Sequence, residues 1–185
     1  MNKIKLGILG GGGDSLIGIL HRVASNMYDR YQIVGGVFNP NYEENLKFAD
    51  KIGVHTDRVY IDFDTFIEEE IKKSSEERIE VVSVLTPNFL HFPMAKKLLE
   101  NGFHVICEKP LTTSYKEAIE LETLQKKHNA IFAVTYTYTG YPMVRHMKHL
   151  IASGALGEIQ KTDVQYYQGW INPFMTLKFE RQFGV

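Results

Sequence analysis

A cluster of glycines near the N-terminus is the first feature whose residue types and spacing indicate chemistry. Gly10 and Gly12 follow a short apolar run, and a helical pattern begins a few residues later. A dinucleotide-binding loop needs one glycine for the turn, a second for close approach of a pyrophosphate, and a third where the helix packs on the strand. Gly10 and Gly12 fill the first two positions. The strict third position is Ser15, and Gly18 fits only if the loop is three residues longer.

The stretch from this loop into the first helical turn is the predicted phosphate-binding segment. A helix that begins near Leu16 directs its free amides and the positive end of its dipole toward the phosphates. The alternative is a flexible glycine loop with no ligand, but a loop that follows the first strand and opens a helix favours phosphate binding. The predicted residues are Gly10, Gly12, Gly13, Asp14, Ser15, Leu16 and Ile17.

The end of the second predicted strand bears on the choice of cofactor. Dinucleotide-binding enzymes specific for NAD usually have an acidic residue there, which binds the ribose hydroxyls, whereas those specific for NADP have an arginine nearby. The sequence has Phe38-Asn39-Pro40-Asn41, and the next Lys or Arg is Lys47. Asn39 can hydrogen-bond a ribose hydroxyl, so we expect NAD(H) rather than NADP(H).

A Thr-Pro-Asn turn follows the most apolar strand pattern, at residues 79–85. Ligands of doubly wound sheets lie outside the carboxyl ends of the strands, where this turn is placed. Thr86, Pro87, Asn88 and His91 are therefore candidate cofactor contacts. An equally supported alternative is a turn in which Pro87 ends the strand and Asn88 caps the next helix.

The sequence Glu108-Lys109-Pro110 follows the next strand and is the candidate catalytic segment. A lysine at a strand end, beside a glutamate and followed by proline, suits a polarising or proton-transfer role when it is partly buried. The alternative is a surface ion pair. Cys107 is expected to be a buried strand cysteine rather than a nucleophile.

The segments that carry these candidate residues lie between predicted strands and helices that alternate along the chain. Apolar runs predict strands at 3–9, 31–38, 59–61, 79–85, 104–107 and 130–136. Helical spacing predicts helices at 17–28, 42–52, 65–73, 90–99 and 115–128. The last of these helices begins at a capping box formed by Ser114 and Glu117. Six such units predict an α/β fold of the Rossmann type, with a doubly wound parallel sheet.

The pattern changes after residue 138. Pro142 starts a predicted helix at 143–151, and alternating residues at 158–170 predict one long strand of a different sheet. A single strand is not a stable domain. We therefore expect a Rossmann domain over residues 1–138 and the incomplete beginning of a second, α+β domain over residues 139–185.

Composition limits the classes of function. The 21 Lys and Arg residues balance 22 Asp and Glu, which argues against a nucleic-acid partner and against a membrane-surface protein. A hydrophobic content of 44% excludes a disordered chain. The single cysteine, Cys107, cannot form an internal disulfide or a Cys-rich metal site, and we predict no metal. No apolar run approaches the ~20 residues of a membrane span, so we expect a soluble cytoplasmic protein.

The sequence resembles the Gfo/Idh/MocA oxidoreductases, which are named for glucose–fructose oxidoreductase and inositol dehydrogenase. The most specific match is EKP at 108–110, within LLENGFHVICEKPLTTSYKEAIEL, with TPNFLH at 86–91 upstream. VTYTYTGYPMVRHMKHLIASGALGEI at 134–159 is similar to the family's passage into its second domain. GGGGDSLIGILHR at 10–22 is similar to a subgroup with a lengthened glycine loop, in which Gly18 and His21 take the usual glycine and histidine places.

The resemblance implies a nicotinamide-dependent dehydrogenase that moves a hydride between the cofactor and a carbon of a sugar, inositol or related polyol. It implies that Lys109 lies beside both the nicotinamide and the reacting hydroxyl, and that Tyr136 faces the substrate. The residues implied to line the cofactor are Thr86, Pro87, Asn88 and Glu108. The family's second domain binds substrate and forms oligomer contacts, which favours a homo-oligomer through its sheet.

The sequence departs from the family at the acid/base residue. The family uses a histidine in a D-x-x-x-H motif of the second domain, and no such motif follows Glu158. His146 and His149 precede that position and are interpreted as histidines on a helix surface. We therefore expect a truncated gene product, a fragment or a trimmed relative. The alternative function is a non-catalytic dinucleotide-binding module, or an inactive fragment.

Overall fold

The computed structural model describes residues 3–167. Five parallel strands form one sheet in the order β2-β1-β3-β4-β5, which confirms the predicted doubly wound α/β fold. Because neighbouring strands are parallel, all carboxyl ends lie at one edge, called here the carboxyl edge. The strands are β1 (Ile4–Gly10), β2 (Tyr31–Val37), β3 (Val81–Leu85), β4 (His104–Cys107) and β5 (Phe132–Val134).

The helices of the described residues begin at side-chain caps in several places. Ser15, Asn41 and Asp62 each accept a hydrogen bond from the backbone amide three residues later. The predicted capping box of Ser114 and Glu117 is present. Within residues 3–167 no helix is both long and apolar enough to cross a membrane. The helices are α1 (Leu16–Asn26), α2 (Tyr42–Lys51), α3 (Phe63–Glu70), α4 (His91–Glu100), α5 (Tyr115–Lys127) and α6 (Pro142–Ala152).

Two buried apolar clusters hold the sheet between its helices. Successive strand side chains point to opposite faces, so β1 contributes Leu9 to one cluster and Leu6 to the other. Leu9 packs in a cluster with Val82 and with Leu98 of α4. Leu6 packs in a cluster with Phe48 of α2. Burying one such side chain contributes roughly 1.5–3 kcal/mol to stability, so the two clusters stabilise the sheet and its carboxyl edge.

The predicted short strand at 59–61 is wrong. Val59 makes only an isolated bridge to Gly36, directly after the 3-10 turn Thr56–Arg58. Asp62 already caps α3. The chain therefore passes from one helical element into the next within a few residues, which leaves no room for a sixth strand.

A buried carboxylate ties α3 to the start of β3. Glu70 has no exposed surface. Its oxygens accept hydrogen bonds from the Tyr60 hydroxyl, from Arg58 Nη2 at 2.8 Å and from the Ile79 amide at 2.8 Å. Burial raises the pKa of Tyr60, and the hydrogen bond to Glu70 raises it further. This network fixes the connection between β2 and β3.

The chain divides into two compact units, Met1–Thr137 and Tyr138–Val185. In the second unit Pro142 is the first residue of α6, as predicted. His146 and His149 are exposed on this helix, which confirms their interpretation as surface histidines.

The predicted long strand at 158–170 is not formed where the structure describes it. Residues 158–167 are neither helix nor strand, and residues 168–170 lie outside the described part of the chain. An isolated strand needs a neighbour to satisfy its backbone groups, and the described part of the second unit contains none.

Candidate functional site

The parallel register brings the predicted site segments to the carboxyl edge. Gly10 lies opposite Leu85, and Cys107 lies opposite both Val84 and Val134. The segments that follow these strands therefore emerge side by side. In sheet order they are Asn39 after β2, the glycine loop (residues 10–15) at the end of β1, the turn at 86–88 after β3, Lys109 after β4, and Tyr136 after β5.

The glycine loop runs so close to neighbouring backbone that side chains do not fit at two positions. A Cβ on Gly10, whose φ is +82°, would lie 2.9 Å from the carbonyl oxygen of Leu85. The Gly12 amide donates to the Phe38 carbonyl at 3.1 Å, and a Cβ on Gly12 would approach that oxygen to 2.5 Å. Gly13 has open space around its Cβ position. This anchored loop with an open outer part fits a phosphate cradle.

The start of α1 packs directly on the glycine loop. A Cβ on Gly18 would lie 1.8 Å from the carbonyl oxygen of Gly11, and Arg22 Nη1 donates to the same oxygen at 2.8 Å. Ser15 Oγ accepts from the Gly18 amide at 3.2 Å. Gly18 therefore takes the packing position of the third glycine, and Ser15 is the helix cap. The positive end of the α1 dipole lies at the loop, as anion binding requires.

Asn39 lies beside the glycine loop at the end of β2. Its Oδ1 accepts from the Asn41 amide at 2.8 Å, so its side-chain NH2 group is the part left to donate. A cavity of about 310 Å³ is lined by Gly13, Asn39 and Lys47 among others. The charge of Lys47 is paired with Glu44, whose Oε1 lies 2.8 Å from Lys47 Nζ.

The turn at 86–88 presents Pro87 and Asn88 at the carboxyl edge, where both are exposed. The 3-10 turn Asn88–Leu90 leads into α4, and the cap positions of these two elements are Pro87 and Leu90, without a side-chain hydrogen bond. The alternative in which Asn88 caps the next helix is therefore wrong.

His91 is buried and contacts the main chain. Its side chain has no exposed surface. Nδ1 lies 2.7 Å from the carbonyl oxygen of Pro110, and Nε2 lies 2.9 Å from that of Thr86. The imidazole thus joins two turns at the carboxyl edge, whereas the sequence predicted a direct cofactor contact.

Glu108 is the centre of a hydrogen-bond network. Its Oε1 accepts from Thr135 Oγ1 at 2.6 Å and from His21 Nε2 at 3.0 Å, and its Oε2 accepts from the Lys109 amide at 3.1 Å. Burial acts to raise the pKa of Glu108, but these hydrogen bonds outweigh burial and hold the pKa below its usual value. The Glu108 carboxylate therefore joins α1, the end of β5 and the backbone of Lys109.

Lys109 is exposed at the carboxyl edge, so the partial burial that would suit it to a polarising or proton-transfer role is not observed. Lys109 lies two residues beyond Cys107, the last residue of β4. The alternative ion pair with the neighbouring glutamate is not formed within the described residues, because Glu108 pairs with His21. Cys107 is fully buried, and burial raises the pKa of its thiol to about 12, which confirms the expected buried cysteine.

A separate cavity of about 530 Å³ opens on the sheet face beside α1. It is lined mainly by apolar side chains, such as Leu20 of α1 and Ile106 of β4. Glu108 and Lys109 border it, but no residue of the glycine loop does. Ile17, in the first turn of α1, also lines this apolar groove, which therefore adjoins the predicted phosphate-binding segment without reaching residues 10–15. No group of three or more His, Cys, Asp or Glu side chains in residues 3–167 is arranged to hold a metal ion.

Replacing Glu108 with glutamine tests the charge of this network. A carboxyl group whose pKa is lower in the folded protein stabilises the fold above its unfolded pKa, and that contribution is lost as the pH falls through the folded pKa. We expect the free energy of unfolding of the wild-type protein to exceed that of Glu108→Gln by about 1 kcal/mol at neutral pH. This difference should shrink as the pH falls below 4.5, the ordinary pKa of a glutamate. Chemical unfolding at several pH values measures this, and a difference that grows on acidification contradicts it.

Sheet topology and loop geometry together define the class of the protein. A parallel sheet with this strand order and a glycine loop between the first strand and helix is a Rossmann-type dinucleotide-binding unit. Residues 4–136 match the Gfo/Idh/MocA family model, which describes an oxidoreductase family with an NAD-binding Rossmann fold. The chain therefore belongs to the Gfo/Idh/MocA oxidoreductase family.

Individual relatives agree with this assignment. The oxidoreductase YfiI of Bacillus subtilis is 36% identical over 168 residues, which is 90% of this chain and 42% of the relative. A structure of an inositol dehydrogenase homologue from Azotobacter vinelandii, complexed with NADH and myo-inositol, is 36% identical with a TM-score of 0.81. An oxidoreductase from Pseudomonas syringae gives the same identity and TM-score. Each of these two structural matches covers 85% of this chain. The chain spans only 41% of the Azotobacter structure and 43% of the Pseudomonas structure.

Two polar contacts of the site were missed from the sequence. Thr135 bonds Glu108 from 27 residues away, and Arg22 bonds the carbonyl of Gly11. Both residues lie in segments that the family resemblance covers, but neither was assigned a contact from the sequence. Parallel strand order alone would have placed Thr135, at the end of β5, beside the end of β4.

Proposed function

We propose that the chain is a nicotinamide-dependent oxidoreductase that transfers a hydride between NAD(P) and a hydroxyl-bearing carbon of a sugar, inositol or related polyol. The observation that carries the proposal is the exposed Lys109, which lies at the same carboxyl edge as an anchored glycine loop. The relative complexed with NADH and myo-inositol supports the substrate class.

The roles of the residues follow from their order along the carboxyl edge. The glycine loop and the first amides of α1 bind the pyrophosphate, because they combine close backbone approach with the positive end of a helix dipole. Asn39 donates to a ribose hydroxyl. The turn at 86–88 and Lys109 line the nicotinamide end of the site. When bound, the nicotinamide supplies the acceptor or donor of the hydride.

Lys109 acts on the reacting hydroxyl of the substrate. Its ammonium donates a hydrogen bond to the hydroxyl oxygen and stabilises the negative charge that develops as the hydroxyl proton leaves. The proton passes to a separate base, which the family resemblance implies is a histidine of the second domain. Tyr136, which follows β5, faces the substrate in this arrangement.

NAD(H) is the proposed cofactor rather than NADP(H). A 2′-phosphate needs an unpaired cation near the end of β2. Asn39 is neutral there, and the nearby Lys47 is paired with Glu44. Residues 139–185 form the beginning of the substrate and oligomerisation domain in this proposal.

Fluorescence titration of the chain with NADH and then with NADPH tests the proposal. We expect micromolar binding of NADH, weaker binding of NADPH, and a loss of about tenfold in NADH affinity for Lys109→Ala. Reduction of NAD by inositol or sugars is then measured. Binding without any reduction favours the alternative of a non-catalytic dinucleotide-binding module. A folded chain that binds neither cofactor contradicts both functions.

A further inference from the structure

We propose that His21 and His91 are positioning residues that hold Lys109 from two sides. The inference rests on the proposed function, because it concerns where Lys109 stands relative to a bound nicotinamide. Each histidine contacts a residue next to Lys109 in the chain: His21 contacts Glu108, and His91 contacts Pro110.

The first contact comes from α1, the helix that opens at the glycine loop. His21 Nε2 donates to Glu108 Oε1 at 3.0 Å, and Glu108 Oε2 accepts from the Lys109 amide at 3.1 Å. The side chains of His21 and Glu108 are only 14% and 13% exposed, so water competes little for these bonds. The backbone of Lys109 is thereby fixed relative to the phosphate cradle.

The second contact comes from α4, the helix that follows the turn at 86–88. His91 is fully buried, with Nδ1 at 2.7 Å from the Pro110 carbonyl oxygen and Nε2 at 2.9 Å from that of Thr86. Carbonyl oxygens only accept, so a neutral ring donates to one of the two and an imidazolium to both. The turn that carries Lys109 is thereby fixed relative to the turn at 86–88.

In the described part of the chain, the side chain of Lys109 makes no contact that would fix its own position. It is exposed, and its ammonium makes no hydrogen bond or ion pair within the described residues. The position of a flexible lysine therefore depends on its backbone, and a displacement of about 1 Å is enough to weaken a positioned interaction severely. His21 and His91 fix that backbone relative to the two other segments of the site.

Paired amide substitutions separate the two contacts. The amide nitrogen of glutamine reaches the place of a histidine Nε2, and that of asparagine the place of Nδ1. His21→Gln and His91→Asn therefore keep a donor toward the Lys109 segment, whereas His21→Asn and His91→Gln lose it. Glutamine therefore keeps the contact at position 21, whereas asparagine keeps it at position 91. A general loss of packing would not give opposite preferences at the two positions.

The readout is the ratio of affinities for NADH and for ADP-ribose, which lacks the nicotinamide. We expect His21→Asn and His91→Gln to lower this ratio about fivefold, and His21→Gln and His91→Asn to leave it within about twofold. ADP-ribose affinity stays at the wild-type value. In a Lys109→Met background none of the four changes should alter the ratio further, because the histidines act through Lys109.

Amide hydrogen exchange at Lys109 provides a measurement that needs no ligand. The exchange rate should rise in His21→Asn and His91→Gln and stay near wild type in the other two variants. If wild type binds neither ligand, the proposed function fails, and the exchange pattern still decides whether the two histidines hold Lys109. Equal effects of Asn and Gln at each position, or equal losses for NADH and ADP-ribose, overturn the proposal.

Discussion

Replacing Gly18 with alanine is expected to lower the free energy of unfolding by about 3 kcal/mol and to abolish NADH binding. The added Cβ would lie 1.8 Å from the Gly11 carbonyl oxygen and 2.6 Å from its carbonyl carbon. Both atoms are backbone, so no change of rotamer relieves the overlap. Either α1 must move away from the glycine loop, or the loop must move away from the ends of the strands.

Movement of α1 also breaks hydrogen bonds that hold the glycine loop in place. Arg22 donates to the Gly11 carbonyl, and Ser15 caps α1 through the Gly18 amide. Urea unfolding followed by circular dichroism measures the stability, and NADH fluorescence measures the binding.

Gly53→Ala is the control, because its Cβ meets nothing within 4 Å although its φ is +73°. It should cost about 1–2 kcal/mol without affecting binding. Wild-type NADH affinity in Gly18→Ala would contradict the assigned loop geometry.

Replacing Glu70 with alanine is expected to destabilise the fold by about 3–5 kcal/mol. Removing this buried carboxylate leaves Arg58, which is also largely buried, without its counter-ion at 2.8 Å. It also removes the acceptor of the Ile79 amide at the start of the segment that leads into β3. A buried charge that loses its counter-ion and a buried amide that loses its acceptor both carry a desolvation cost, although Arg58 keeps its hydrogen bonds to the Glu77 carbonyl.

The neighbouring glutamate provides a matched control. Glu69 is half-exposed and pairs at the surface with Lys72, just beyond the end of α3, and such exposed pairs contribute little to stability. Urea midpoints for Glu69→Ala and Glu70→Ala should therefore differ widely. Similar midpoints for the two variants would show that the Glu70 network does not hold the connection between β2 and β3.

The fold was predictable because local patterns agree with one another. Apolar runs of strand length alternate with helical spacing, and glycine or asparagine marks the boundaries. The exceptions have a common cause. Val59 and Tyr60 are buried in the two apolar clusters, but this segment makes only one isolated bridge to the sheet, at Gly36. The alternation at 158–167 has no strand to pair with in the described part of its unit.

The site was predictable in its segments but less so in its individual side chains. Strand ends and the Thr-Pro-Asn and Glu-Lys-Pro motifs locate the edge, because parallel strands bring such segments together. The burial of His91 and the exposure of Lys109 depend on residues far apart in sequence. The contact between His21 and Glu108 spans 87 residues, which no local spacing reveals.

The most direct test of the central claim locates the bound cofactor on the chain. Backbone amide NMR spectra of the isotopically labelled chain are recorded during a titration with NAD+. We predict that the largest shift changes fall on the glycine loop, Asn39, the turn at 86–88 and Lys109. Changes confined to the apolar groove beside α1, around Leu20 and Ile106, would contradict the assignment of the carboxyl edge as the dinucleotide site.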